Sequence, residues 1–192
     1  MFLIFCLLSL FAANSMAQVF VLQRPDFQPI ESFNLSRIAG EWYENLRIPN
    51  VYEVGVTCSR AKVIVGEKKG TVSLLFSETG SFSGKDYKVL TTGTQKRGQT
   101  AAVFDFKFPL YLISINLGTI YVLDTDYENF IVLAGGFPLG GNRNNFFNSY
   151  ITFAWVNSRT PVLASEYRER ALWALSNSGI DTNELVRVPQ GC

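Results

Sequence analysis

Beyond residue 38 the chain is written in short runs of alternating or continuous apolar residues, with turn residues between them. Ala61–Val65 is followed by a turn from Gly66 to Gly70. Thr71–Phe76 is followed by a turn from Gly80 to Gly84, and Tyr87–Thr91 by a stretch holding Gly93 and Gly98. Ala102–Phe108 alternates most cleanly, with Phe104, Phe106 and Phe108 on one face and Asp105 and Lys107 on the other. Side chains alternate across a strand, so this run has one greasy and one wet face. Ile120–Leu123, Asn129–Leu133 and Tyr150–Val156 continue the series, and the strand carrying Trp42 brings it to eight. Eight sequential antiparallel strands with short turns predict an all-β, up-and-down barrel, which leaves no exposed edge.

One helical pattern follows. Tyr167, Ala171, Ala174 and Leu175 recur at helical spacing and Gly179 supplies a left-handed stop, so a single C-terminal helix is expected to pack outside the barrel. The tail Glu184–Pro189 has the composition of one more short strand. An eight-stranded barrel can hold one small ligand or be filled by its own side chains. The generous length favours a cavity over a filled core.

Met1–Ala17 carries no charged side chain and ends in Ser15-Met16-Ala17. It reads as a secretory signal peptide cleaved before Gln18, leaving one domain over residues 18–192 and a secreted, extracellular protein. The alternative is a membrane anchor, but the apolar run falls short of the ~20 residues that a span requires. Cleavage removes Cys6 and leaves Cys58 and Cys192. In a secreted chain such a pair suggests a disulfide, worth on the order of 4–5 kcal/mol for so long a loop; two free thiols are the alternative. Asn34-Leu35-Ser36 is a candidate glycosylation sequon.

Seventeen basic and sixteen acidic residues give a net charge of +1, which favours neither nucleic acid nor an anionic membrane as partner. The chain has no histidine. That excludes a Ser-His-Asp or Cys-His nucleophile, a His-ligated haem and the common zinc sites. Asp124, Asp126 and Glu128 lie close together, but their spacing is not that of an EF-hand; the segment reads as a turn held by Asp side chains. No metal or cofactor is expected. What remains is an aromatic-lined pocket suited to an apolar small molecule.

Three segments together give the chain a resemblance to the lipocalin family, nearest the apolipoprotein D and insect bilin-binding type. They are Gly40-x-Trp42 in "AGEWYENLRIPN", Thr125-Asp126-Tyr127 in "LDTDYENF", and Arg159 in "FAWVNSRTP" just after the last barrel strand. The resemblance covers Phe33 to Cys192. It implies that Trp42 closes the barrel floor with Arg159 across its indole, a cation–π contact, and that the Thr125-Asp126-Tyr127 turn lies at the same end. If Arg159 points inward, strand alternation sends Asn157, Trp155, Phe153 and Ile151 inward above it. The same parity places Ala61, Val63, Leu74, Phe76, Phe104, Phe106 and Ile120 on the cavity wall. Asn129–Leu133 is apolar on both faces, so its parity is not readable. The resemblance also implies a Cys58–Cys192 bridge. A second bridge, from the N-terminal segment to the barrel, is usual in such relatives; no cysteine is left to form it, so residues 18–32 should be looser.

The expected function is transport of a hydrophobic small molecule such as a bilin, carotenoid, retinoid, sterol or fatty acid, with Asn157 and Tyr87 as orienting polar groups. Two other classes stand beside it. An enzyme of the kind that isomerises lipids would need an inward free thiol. A lipid-protective scavenger, or a module that binds a protein or membrane partner, would use the mouth loop from Gly135 to Asn148, where Phe137, Phe146 and Phe147 would be exposed and could touch a lipid surface transiently. Oligomeric state is left open. Glu44, on the same face as Trp42, would be a carboxylate near the cavity floor in need of a partner.

Overall fold

The computed structural model describes residues 20–21, 24–96, 101–110, 113–138 and 149–192; the segment expected to be a signal peptide, residues 1–17, lies outside them. Eight long strands follow one another: β2 (Gly40–Arg47), β3 (Val56–Val65), β4 (Thr71–Gly80), β5 (Asp86–Gln95), β6 (Val103–Leu110), β7 (Ile113–Thr125), β8 (Phe130–Pro138) and β9 (Tyr150–Ser158). Each pairs antiparallel with the next, and β9 pairs with β2, so the sheet closes on itself. Two short strands extend it: β1 (Phe20–Val21) on β9 and β10 (Val186–Arg187) on β2. The expected barrel is present with longer strands than the apolar runs suggested. In β4 the run ends at Phe76, yet Ser77, Glu78 and Thr79 continue the ladder with β5.

A single helix, α1 (Ser165–Asn177), packs outside β7 and β8, and Gly179 follows it at φ +76°. Ala171, Ala174 and Leu175 are its buried face. Tyr167 stacks on Phe130 at 5.5 Å, and Arg170 clamps both carboxylate oxygens of Asp124 at 2.6 and 2.7 Å. This explains why β8 is apolar on both faces. Phe130, Val132 and Ala134 pack outward beneath the helix, while Ile131 and Leu133 face the lumen. Among the described residues no helix is long and apolar enough to cross a membrane.

The floor is built as the motifs implied. Trp42 is 2% exposed and its indole N–H donates to the Ile38 carbonyl at 2.8 Å. The Arg159 guanidinium lies 3.7 Å from the Trp42 ring centroid and donates to the carbonyls of Glu41, Arg37 and Tyr127. Gly40, at φ +102°, admits this arrangement, since a Cβ there would stand 3.2 Å from Arg159 Nη1. Beside it, Asp126 accepts from the backbone N–H groups of Glu128, Asn129 and Phe130. Burial raises the Asp126 carboxyl, but the hydrogen bonds from Asn129, Phe130 and Glu128 outweigh it and hold the group below its ordinary value. Thr125 accepts from Tyr127 N–H, which steadies Tyr127 at φ +71°.

The N-terminal arm lacks a cysteine but is anchored by other means. Phe27 stacks on Tyr121 at 4.7 Å, and Ile30 bonds through its backbone to Val122 and Ala102. Cys58 and Cys192 form a disulfide with Cα atoms 6.2 Å apart, closing a separation of 134 residues. Gly135 and Gly136 are not part of a mouth hairpin, as the sequence suggested, but lie within β8 opposite Phe153 and Thr152. They are small because neighbouring backbone crowds them: a Cβ on Gly136 would fall 1.8 Å from the Ile151 carbonyl oxygen. Gly140, Gly141, Phe146 and Phe147 lie outside the described residues.

Replacing Gly40 with Ala is expected to cost about 1–3 kcal/mol, through the positive φ and the approach to Arg159. In a thermal melt that is a drop of roughly 2–4 °C per kcal/mol; an unchanged midpoint would contradict the clamp geometry. The Cys58→Ser, Cys192→Ser double variant is expected to lose on the order of 4–5 kcal/mol in urea unfolding.

Candidate ligand-binding site

Inside the barrel, above Trp42, lies a cavity of about 410 Å³. This falls in the range of about 300–1,000 Å³ typical of small-molecule sites. Ala61, Val63, Leu74, Phe76, Phe104, Phe106, Ile120, Phe153, Trp155 and Asn157 all line it, as strand parity predicts, and Phe108 does too. The walls follow register: Ala61 stands beside Phe76 and Phe76 beside Val89, while Val63 stands beside Leu74 and Leu74 beside Thr91. The Thr91 hydroxyl is buried and without a hydrogen-bond partner among the described residues.

Tyr87 departs from expectation. It shares the inward parity of Val89 and Thr91, and its rung partner Glu78 lines the cavity, but Tyr87 itself does not. It is 47% exposed and its hydroxyl sits 3.3 Å from Ser83 Oγ. Ile151 is buried but does not line the cavity. Phe137 is half-buried and packs on Phe153 at 5.8 Å, so it is not the exposed mouth residue expected. Trp42, assigned only to the seal, also forms part of the cavity floor with Ile38 and Leu35.

Beyond Glu44 and Asn157, strand periodicity carries no sign of the polar patch on the wall made by β2, β3, β4 and β9. Glu44, Asn50, Glu53, Ser59 and Glu78 all line the cavity there. Asn50 and Glu53 come from the β2–β3 connection, which has no periodicity to read. The partner that Glu44 requires is Arg47, whose Nη1 lies 3.2 Å from Glu44 Oε1 and 3.8 Å from Glu53 Oε1. A register shift between Glu44 and Leu46 brings Arg47 to this side. Arg47 Nη2 donates to the carbonyls of Glu53 and Val56. Glu53 also accepts from the Trp155 indole N–H at 3.0 Å and from the Asn50 amide.

Burial, with Glu53 close by, pushes the Glu44 carboxyl well above its usual range although Arg47 pulls the other way. Burial and Glu53 raise Glu78 as well. The folded chain thus holds the Glu44 proton more tightly than the unfolded chain does. Its contribution to stability is fully present below the ordinary carboxylate range and is lost as pH rises through the raised folded value. Three carboxylates face one guanidinium, in a cavity whose remaining wall is aliphatic and aromatic.

Residues 33–190 match the family model described as a lipocalin-like domain. Insecticyanin-B of Manduca sexta is 26% identical over 147 residues, covering 76% of this chain and 67% of that protein. Apolipoprotein D of Mus musculus is 26% identical over 161 residues, covering 83% and 78%. Among solved structures, insecticyanin from the tobacco hornworm Manduca sexta superposes with a TM-score of 0.75 at 21% identity, over 90% of this chain and 89% of that one. A closed eight-stranded barrel, a Trp–Arg floor and a family match across most of its length lead to one assignment: the chain belongs to the lipocalin family.

Proposed function

We propose that this protein is a secreted carrier that encloses a small hydrophobic molecule in its barrel. The observation that carries this reading is the cavity itself: about 410 Å³, closed below by Trp42 and walled mainly by phenylalanine, leucine, isoleucine and valine. Affinity would come from burial, at roughly 25 cal/mol per Å² of apolar surface removed from water. A bilin, carotenoid, retinoid, sterol or fatty acid meets that requirement. The enzymatic alternative lacks its nucleophile, because Cys58 and Cys192 are bonded to each other. Asn34 is exposed at the closed end, so a glycan there would leave the mouth clear.

A second reading, lipid-surface contact at the mouth, is favoured by one observation. Phe82, at the β4–β5 tip, is 98% exposed, and Tyr52 and Val54 on the neighbouring connection are 56% and 63% exposed. An apolar rim of this kind would let the carrier load from a bilayer. The side chains concerned differ from the phenylalanines the sequence suggested.

Two of the three tryptophans, Trp42 and Trp155, face the cavity, whereas Trp173 is 67% exposed on α1. Titration with retinol or biliverdin is therefore expected to quench tryptophan fluorescence saturably but incompletely. Trp155→Ala should weaken binding about tenfold. Absence of saturable quenching by any apolar ligand would contradict the carrier reading. Phe82→Ser is expected to reduce cosedimentation with phosphatidylcholine vesicles, and equal cosedimentation would remove the second reading.

A further inference from the structure

The polar patch does more than tolerate an apolar ligand. Resting on the carrier reading, we propose that the cavity selects an amphiphile with a primary ammonium head: the head docks between Glu44, Glu78 and Asn157, and the apolar tail fills the phenylalanine-lined space beside them.

The donor and acceptor inventory supports this. Glu53 is satisfied within the protein by Trp155, Asn50 and Arg47. Glu44 and Glu78 are not. Glu44, whose side chain is 5% exposed, receives one hydrogen bond from Arg47 Nη1 through Oε1. Glu78 receives one from Ser59, at 3.4 Å, also through Oε1. The Ser59 hydroxyl stands between the two carboxylates and has only one proton to give. Glu44 also lies against the Glu53 carboxyl, which brings no N–H, so neither Glu44 nor Glu78 has a second N–H or Ser/Thr O–H donor among the described residues.

Asn157 is a separate observation with the same direction. It is 8% exposed, stands directly across the ladder from Glu44, lines the cavity and makes no side-chain hydrogen bond among the described residues. An amide on a cavity wall without a protein partner leaves its hydrogen-bonding groups to whatever occupies the cavity. A primary ammonium presents three N–H donors, and Glu44, Glu78 and Asn157 offer three vacant acceptors. Charge agrees with geometry. With Arg47 as the only cation against three carboxylates among the described residues, the patch is short of positive charge. Burial and the neighbouring Glu53 raise both Glu44 and Glu78, and Arg47 offsets this only in part. A carboxylate or phosphate head would meet repulsion at the same place.

The test is competition for the cavity in the full disulfide-bonded chain. N-phenyl-1-naphthylamine, neutral at pH 7, serves as the fluorescent occupant, and dodecylamine, 1-dodecanol and dodecanoate compete for it below their micellar concentrations. Dodecylamine is expected to displace it at a concentration at least about tenfold lower than 1-dodecanol, with dodecanoate the weakest, as charge-assisted hydrogen bonds imply. In Glu44→Gln and in Glu78→Gln the amine-to-alcohol ratio should fall toward one. Glu78→Gln breaks no ion pair and carries the test if the Glu44 variant does not fold. Equal displacement by amine and alcohol, or a ratio that survives both substitutions, would overturn the ammonium site while leaving the carrier reading intact. Failure of N-phenyl-1-naphthylamine itself to bind saturably would overturn both.

Discussion

The guanidinium of Arg159 lies over the indole of Trp42, and its N–H groups reach the backbone carbonyls of Glu41, Arg37 and Tyr127. A sheet that closes on itself still has two open ends. At this end the indole, bonded to the Ile38 carbonyl, fills the lumen, and the cation covers it from outside while satisfying polar backbone. The contact draws on segments far apart in sequence: the 3-10 turn before β2, the strand itself, the β7–β8 turn and the end of β9. Without it the phenylalanine-lined space would be a channel, and an apolar molecule could not be taken fully out of water.

Everything above the floor follows from which side chains face inward at each rung. On the β5–β8 side those are apolar apart from Thr91, backed on β7 and β8 by a second core under α1. On the β2–β4 side the inward positions turn polar at Glu44, Ser59 and Glu78, and Arg47 enters through a bulge to meet them. The cavity is thus apolar in bulk and carries one localised, acidic patch. That division gives an apolar carrier a means of telling ligand heads apart, since burial supplies affinity without direction and hydrogen bonds supply direction.

How much of this could be read in the residues differs by element. Phe104, Phe106 and Phe108 declared their face because Asp105 and Lys107 interrupt them. Ala61, Val63, Leu74 and Phe76 were placed by the same period of two. β8 hid its parity because two different cores cover its two faces. Tyr87 has the right parity, yet its side chain meets Ser83 of the β4–β5 turn instead of lining the cavity as its rung partner Glu78 does, and parity alone does not show such a contact. Gly135 and Gly136 looked like a turn, whereas the tight approach of Thr119 and Ile151 to them is a tertiary fact with no local signature. The partner of Glu44 was three residues away in Arg47, but strand alternation sends positions 44 and 47 to opposite faces, and only the register shift reunites them. Asn50 and Glu53 sit in an aperiodic connection and left no trace in the pattern.

The central claim is that the barrel is a container occupied by one small molecule. The most direct measurement is native mass spectrometry of the secreted protein, purified without detergent, before and after organic extraction. The account predicts a complex heavier than the polypeptide and any glycan by one small apolar molecule, which the extraction removes. A mass equal to that of the bare, glycan-corrected chain in both spectra, with no uptake when retinol or dodecylamine is supplied, would contradict it.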